Sequence, residues 1–252
     1  MIPFGPFKGW AKYAMSRLKT SCPLCHLPAK GGDFCEPCAR DLWLEPGQIG
    51  FCRQCLATIH ETCDRCEFCA KEPTAFAMTI AGMPYGFPGD MLIQDFKELA
   101  RLDYGPALAS LIARSVRAVL PQSEWPELLI PVPASRSSLV RRGFNPAGEL
   151  AAQLSRQLNI PVRPAALVCK FDQAPQKTLD LRQRMALVRG RFACQWVPNQ
   201  IRIGLVDDVM TTGSTLREIS QMLMCQGAAS VMVLVAARTP MATRDLAKSQ
   251  YV

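Results

Sequence analysis

The chain has 252 residues, 49% of them hydrophobic, and carries 29 Lys and Arg against 21 Asp and Glu for a formal net charge of +8. That apolar share is ordinary for a globular protein with a real core, and no run approaches the ~18 apolar residues of a membrane span. The positive balance favours an anionic partner, either a nucleic acid or a phosphorylated ligand.

Residues 1–20 mix aromatic and basic side chains. Trp10, Tyr13, Ala14 and Leu18 share one face of a short helix, expected to pack on the next module rather than on a membrane. Lys8, Lys12, Arg17 and Lys19 break up any apolar stretch, so no secretory signal is read there.

Eight of the 12 cysteines then fall in four C-x-x-C pairs: Cys22 and Cys25, Cys35 and Cys38, Cys52 and Cys55, Cys66 and Cys69. Each pair puts two thiolates on one turn, which suits tetrahedral Zn²⁺. Two pairs close one site, so the set predicts one or two structural zinc ions. Successive pairs and alternate, cross-braced pairs satisfy the count equally. The segment is short and has little apolar periodicity, so the metal would supply folding free energy. Cys63 either replaces Cys69 as a ligand or is a spare thiol. The two histidines, His26 and His60, are not needed by the count. A redox C-x-x-C would be a single pair beside a βαβ pattern. Thiols held reduced for zinc imply a cytoplasmic protein.

Lys71 to Pro73 reads as a linker, dividing a zinc-binding module (1–72) from a second domain (73–252). Thr74 to Gly86 predicts a short hairpin turning near Gly82 or Pro84. Met91 to Lys97 begins a helix. Ala107 to Val119 is another, with Leu108, Leu111, Ile112, Ser115 and Val119 on one face. Leu128 to Pro131 is a buried strand. A basic loop follows, containing Arg136, Arg141 and Arg142 and ending at Gly143-Phe144-Asn145. Asn145 is placed as an N-cap with Pro146 at the first helical position. Leu150, Ala151, Leu154 and Leu158 form that helix's core face. Because the loop follows a strand, its arginines are candidates for a pyrophosphate or DNA phosphate. The plainer reading is a solvated basic turn.

The stretch that organises the chain is Ile203 to Thr215. An apolar run ends in Asp207 and Asp208, then comes Val209-Met210-Thr211-Thr212-Gly213-Ser214-Thr215. Leu216, Ile219 and Leu223 recur at helical spacing, and Ser230 to Ala236 is a second apolar run, so the unit is βαβ. Small residues let backbone N–H groups approach an anion, and a helix N-terminus lies behind them. Two acids at the carboxyl end of a parallel strand suit sugar hydroxyls or a hydrated Mg²⁺. The plainer reading is a strand ending in solvated acids, with Ser214 as an N-cap.

Val206 to Thr215 resembles the phosphoribosyl pyrophosphate (PRPP) motif of type I phosphoribosyltransferases. With Ile130-Pro131-Val132-Pro133, Arg142-Gly143-Phe144-Asn145 and the four cysteine pairs, it resembles the ComF family, which includes ComFC of natural transformation and GntX-type proteins. The resemblance covers nearly the whole chain. It implies an α/β fold: a phosphoribosyltransferase-like parallel sheet flanked by helices, preceded by the small cysteine-rich module. It implies that Asp207 and Asp208 hold the ribose diol as catalytic residues, that the loop through Thr215 holds the 5′-phosphate, and that Mg²⁺ accompanies PRPP. Gln176 to Leu179, Arg182 or Arg184, and Gly190 to Phe192 look like the family's mobile stretch, where Lys170, Lys177, Arg182 and Arg184 add charge for pyrophosphate or DNA phosphate. The chain departs from the family pattern at Pro146, Leu187 and Phe96-Lys97-Glu98. The resemblance also implies handling of incoming single-stranded DNA in competence, with partners such as a helicase. Phe34, Trp43, Phe51 and Phe68 are stacking candidates, each more simply read as core. The alternative is an active phosphoribosyltransferase in nucleotide metabolism or salvage, its acceptor unspecified.

Overall fold

The computed structural model describes residues 19–47, 50–60, 62–71, 75–170, 190–196 and 198–240. The expected helix before residue 19, the residues on either side of Pro73, and Lys177, Arg182, Arg184 and Leu187 lie outside these. At its centre are four parallel strands. They are β3 (Met78–Pro84), β8 (Ser230–Arg238), β7 (Arg202–Met210) and β4 (Leu128–Pro131), in the order β3-β8-β7-β4. β7 and β8 read as near-continuous apolar runs because parallel strands are covered on both faces. Val162 prolongs the sheet beyond β4 through a parallel bridge to Leu129. Two short antiparallel pairs lie outside the sheet, β1 (Lys19–Ser21) with β2 (Pro28–Lys30) and β5 (Leu167–Cys169) with β6 (Phe192–Cys194).

One face is covered by α3 (Gly89–Glu98), α4 (Gly105–Val119) and α6 (Pro146–Leu158). Leu92, Ile93, Leu108, Ile112, Leu150 and Leu154 pack there on Ile80, Leu129, Val206 and Leu234. The opposite face is covered by α7 (Ser214–Cys225), whose Leu216, Ile219 and Leu223 meet Ile203, Leu205, Val231 and Val233.

The cysteine-rich segment joins both cores. It contains α1 (Glu36–Leu42) and α2 (Glu67–Lys71). Cys22, Phe34 and Leu42 are buried with the first face, while Cys52, Cys55, Cys66 and Cys69 are buried with the second. The chain crosses between faces at the outer edge of β3, where the Leu44 N–H donates to the Gly82 carbonyl at 3.0 Å. An exposed strand edge invites pairing with other chains, and this crossing covers it. On the first face the Ser110 hydroxyl donates to the Asp33 carboxylate, and the Trp43 indole donates to Ser115 Oγ at 2.8 Å.

Two expectations are corrected. Thr74 to Gly86 does not turn back as a hairpin: Met78 to Pro84 is one strand, in parallel register with β8 from Met78 to Pro84. Gly82 is there for packing, not turning. A Cβ at Gly82 would lie 2.9 Å from Leu111 Cβ and 3.1 Å from the Ile112 nitrogen, so the glycine lets α4 sit on the strand backbone. Gly82→Ala is therefore expected to cost about 1–3 kcal/mol through overpacking and to lower Tm by several degrees in a thermal melt. An unchanged Tm would contradict this packing.

The basic loop is instead a helix, α5 (Arg136–Arg142). Ser135 caps its start by accepting from the Ser138 N–H at 3.3 Å, and Gly143 ends it at φ 78°. Capping at both ends makes this short, mostly polar and basic stretch helical despite weak apolar periodicity. Asn145 occupies the expected N-cap position of α6 with Pro146 behind it, but its amide donates to the Val132 carbonyl at 3.0 Å instead of capping. Among the described residues, no helix is long and apolar enough to cross a membrane.

Candidate functional site

The cysteines form two groups of four in successive pairs. Cys22, Cys25, Cys35 and Cys38 make one group and Cys52, Cys55, Cys66 and Cys69 the other, with the sulfurs of each group within 4.8 Å of one another. Cys25 and Cys35 approach to 3.5 Å, and Cys55 and Cys66 to 3.6 Å. Four sulfurs at ~2.3 Å from a tetrahedral zinc lie ~3.8 Å apart, so both groups fit that ion. The proton distribution agrees. In the second group the Cys55 side chain holds Cys52 far below the usual thiol range, and Cys52 pushes Cys69 far above it. Four sulfurs this close cannot all ionise without a cation between them. Cys63 is exposed and belongs to neither group, and neither histidine joins one.

The groups differ in access. All four cysteines of the second are buried, whereas Cys25 is exposed and Cys35 and Cys38 half-buried in the first. Zinc-loaded protein is expected to carry two ions per chain and release them in two phases to a chromogenic chelator. The first leaves under native conditions, the second only with a mercurial or denaturant. Release of both in one phase would contradict the burial difference.

The acid pair sits at the carboxyl end of β7. The Asp207 carboxylate accepts from the Asp208 N–H at 2.9 Å, and Asp208 accepts from the Val209 N–H at 2.7 Å. Burial, together with the neighbouring Asp208 charge, holds the Asp207 carboxyl well above the ordinary range. Asp208 has a cationic partner, Lys97 Nζ from α3, at 2.9 Å. The next residue, Glu98, accepts from Arg141 at 2.8 Å and from Arg142 at 2.6 Å. Lys97 and Glu98 thus join the acid pair to two of the three sequence-selected arginines of α5. The third, Arg136, is exposed at the far end of that helix.

After Met210 the chain turns through Thr211 and Thr212 to Gly213, at φ 75°, and enters α7. The N-cap is Gly213 rather than Ser214. The backbone angle at Gly213 favours glycine, while a Cβ there would only push aside the flexible end of Met210. The hydroxyls of Thr212 and Ser214 lie 3.2 Å apart, and Thr211 and Ser214 are exposed. The loop's carbonyls are held from behind. Arg238 Nη1 donates to Met210 at 3.1 Å and Thr211 at 2.7 Å, and Arg217 Nη1 donates to Thr212 at 3.2 Å. What results is a turn at a helix N-terminus beside two carboxylates, chemistry suited to an anion next to hydroxyl groups.

Among characterised proteins, competence protein F of Haemophilus influenzae is 34% identical over 216 residues, 83% of this chain and 92% of that protein. The chain belongs to the competence protein F (ComF) family. Within reach of the same comparison, the DNA utilization protein YhgH of Salmonella typhimurium is 28% identical over 223 residues, covering 86% of this chain and 96% of its own. YhgH of Escherichia coli K12 is 29% identical over 222 residues, with the same coverage of 86% and 96%. No family model matches the chain. Among solved structures, a purine phosphoribosyltransferase from Pyrococcus horikoshii superposes over 52% of this chain and 70% of its own at 20% identity and a TM-score of 0.32, too slight a likeness to bear on function.

For this ComF family member, sequence reasoning located the cysteine groups, the acid pair and the loop. It missed Lys97, Glu98, Arg217 and Arg238. Lys97 and Glu98 lie where the chain departs from the family pattern, and the last turn of a helix gives no hint of partners as distant as Arg142 and Asp208. Arg238 had a signal: a charged residue closing the apolar run Val231 to Ala237 has to find its partners inside the fold.

Proposed function

We propose that this chain handles incoming single-stranded DNA in natural transformation, with a site for PRPP and Mg²⁺, or for a nucleotide phosphate, at Asp207 to Thr215. The observation that carries the reading is the turn itself: three successive carbonyls held from behind by guanidinium groups, next to paired carboxylates. In this reading Asp207 and Asp208 accept the ribose hydroxyls, and Thr211, Thr212, Ser214 and Thr215 hold the 5′-phosphate. Mg²⁺, when bound with PRPP, would neutralise pyrophosphate charge, with Asp207 and Asp208 as its oxygen donors through water. Arg136, Arg141 and Arg142 present guanidiniums for pyrophosphate or DNA phosphate once Glu98 releases the last two. Residues 1–72 form the zinc-binding module, with zinc at both cysteine groups, and residues 73–252 the phosphate-binding domain. Zinc held by reduced thiols suits the cytoplasm, the compartment this reading assigns. The names of the relatives, competence protein F and DNA utilization protein, support the DNA role, and the net charge of +8 suits a polyanion.

The test is fluorescence anisotropy with a labelled single-stranded oligonucleotide from 50 to 300 mM salt. Affinity is expected to fall steeply, with a log–log slope of about −0.7 per phosphate contacted. Arg136→Ala with Arg141→Ala is expected to make that slope shallower by about 1.4, two contacts' worth. No binding at 50 mM salt would overturn the DNA role. Pyrophosphate release from PRPP with free bases, absent DNA binding, would favour the transferase instead.

A further inference from the structure

We infer that Arg238 is a positioning residue that sets the shape of the phosphate loop and ties it to the second cysteine group. The inference rests on the proposed phosphate site and deepens it. Arg238 ends β8 and is 3% exposed. Its Nε donates to the Cys55 carbonyl at 2.7 Å, inside the second group. Its Nη1 reaches the carbonyls of Met210 at 3.1 Å, Thr211 at 2.7 Å and Thr239 at 2.7 Å. One planar fork therefore spans a metal-binding turn and the loop, a span of 183 residues in sequence from Cys55.

The geometry has a direct consequence for the anion. In a trans peptide the N–H points opposite the C=O. Carbonyls of Met210 and Thr211 turned toward Arg238 send the N–H groups of Thr211 and Thr212 the other way, out toward the site. Arg217, on the Thr212 carbonyl, does the same for the Gly213 N–H. Without the fork the Thr211 carbonyl would lose its donor and the Met210 carbonyl would keep only the Thr239 N–H, at 3.1 Å, and the turn would relax. The guanidinium also puts positive charge behind an anion site. Because the same fork holds the Cys55 carbonyl, the shape of the second cysteine group and that of the loop are linked, and linkage is reciprocal. The first group, on the opposite face of the sheet, has no such strut among the described residues.

The test uses the full-length, metal-loaded protein and its Arg238→Lys and Arg238→Gln variants. A lysine keeps the charge but has one nitrogen in place of the fork. Without ligand, hydrogen exchange of the Asp208 to Thr215 stretch is expected to accelerate at least tenfold in both variants, with the β7 and β8 core still protected and two metal ions still bound. In cadmium-113-loaded wild type, Mg²⁺·PRPP is expected to shift the resonance of the buried group and leave that of the accessible group in place. In Arg238→Lys neither should move, and PRPP affinity should fall about tenfold or more. Unchanged loop exchange in the variants would overturn the inference, as would loop and core exchange rising together. If wild type binds no PRPP, the phosphate reading fails, while the exchange data still decide the strut. If PRPP binds without shifting either resonance, the strut to the cysteine group fails and the phosphate reading stands.

Discussion

Cys66→Ser is expected to unfold most of this protein's sheet, not only its cysteine-rich segment. Cys52, Cys55, Cys66 and Cys69 are 0–1% exposed and lie in the same core as Phe76, Ile203, Leu205, Val233 and α7. Removing one ligand leaves three crowded thiols in an apolar layer and forfeits much of the metal's contribution to folding, on the order of 5 kcal/mol or more. A domain holds only ~5–15 kcal/mol in total. A fall in Tm of more than ~10 °C follows, at ~2–4 °C per kcal/mol for a chain this long. Cys25→Ser, at the exposed corner of the first group, is expected to cost less than half as much. Thermal melts with zinc content measured beside them check both. A Cys66→Ser protein that lost its zinc and melted like wild type would show that the second group is not part of the core energetics.

Asp207→Asn is expected to separate binding from stability. In the folded protein burial and the neighbouring Asp208 charge raise this carboxyl towards about 8, against ~4 in the unfolded chain. Between those values the native state binds more protons than the unfolded one, so this group's contribution to stability falls as pH rises. The asparagine variant escapes that loss. It should match wild type in Tm near pH 4.5 and exceed it by a few degrees at pH 8.5. Its amide oxygen can still accept from the Asp208 N–H, so the turn survives. The ribose hydroxyls and Mg²⁺ lose a carboxylate, and PRPP affinity should fall about a hundredfold, two charge-assisted contacts' worth. In wild type the affinity should rise about tenfold between pH 7 and pH 9 as Asp207 ionises. A variant less stable than wild type at pH 8.5, or a flat affinity profile, would contradict this account of the acid pair.

What the sequence made legible follows from where the information is local. A C-x-x-C pair, an apolar run ending in two acids, and a small-residue loop before a helical period are each patterns within about fifteen residues, and each stands in the structure where the pattern put it. The pairing of the cysteines was not local, and the structure joins successive pairs. The Thr74 to Gly86 stretch misled because Gly82 and Pro84 look like turn residues. Gly82 is actually demanded by α4, more than 25 residues on, and Pro84 closes the strand. Arg136 to Arg142 misled because it lacks apolar periodicity, and its helix is set by Ser135 and Gly143 at its ends. The partners of Lys97, Glu98 and Arg238 were beyond reach for one reason: their pairing with Asp208, Arg142 and Cys55 is fixed by the order of strands, which places distant segments at the same end of the sheet.

The most direct test of the account is calorimetric titration of zinc-loaded protein with PRPP and Mg²⁺, beside the Asp207→Ala, Asp208→Ala double variant. Both are also assayed for single-stranded DNA binding. Wild type is expected to bind PRPP with Mg²⁺, and the double variant to lose that binding while keeping its affinity for DNA on a separate basic surface. A folded wild type that binds no PRPP would contradict the phosphate-site reading and leave the sheet as a scaffold for nucleic acid alone.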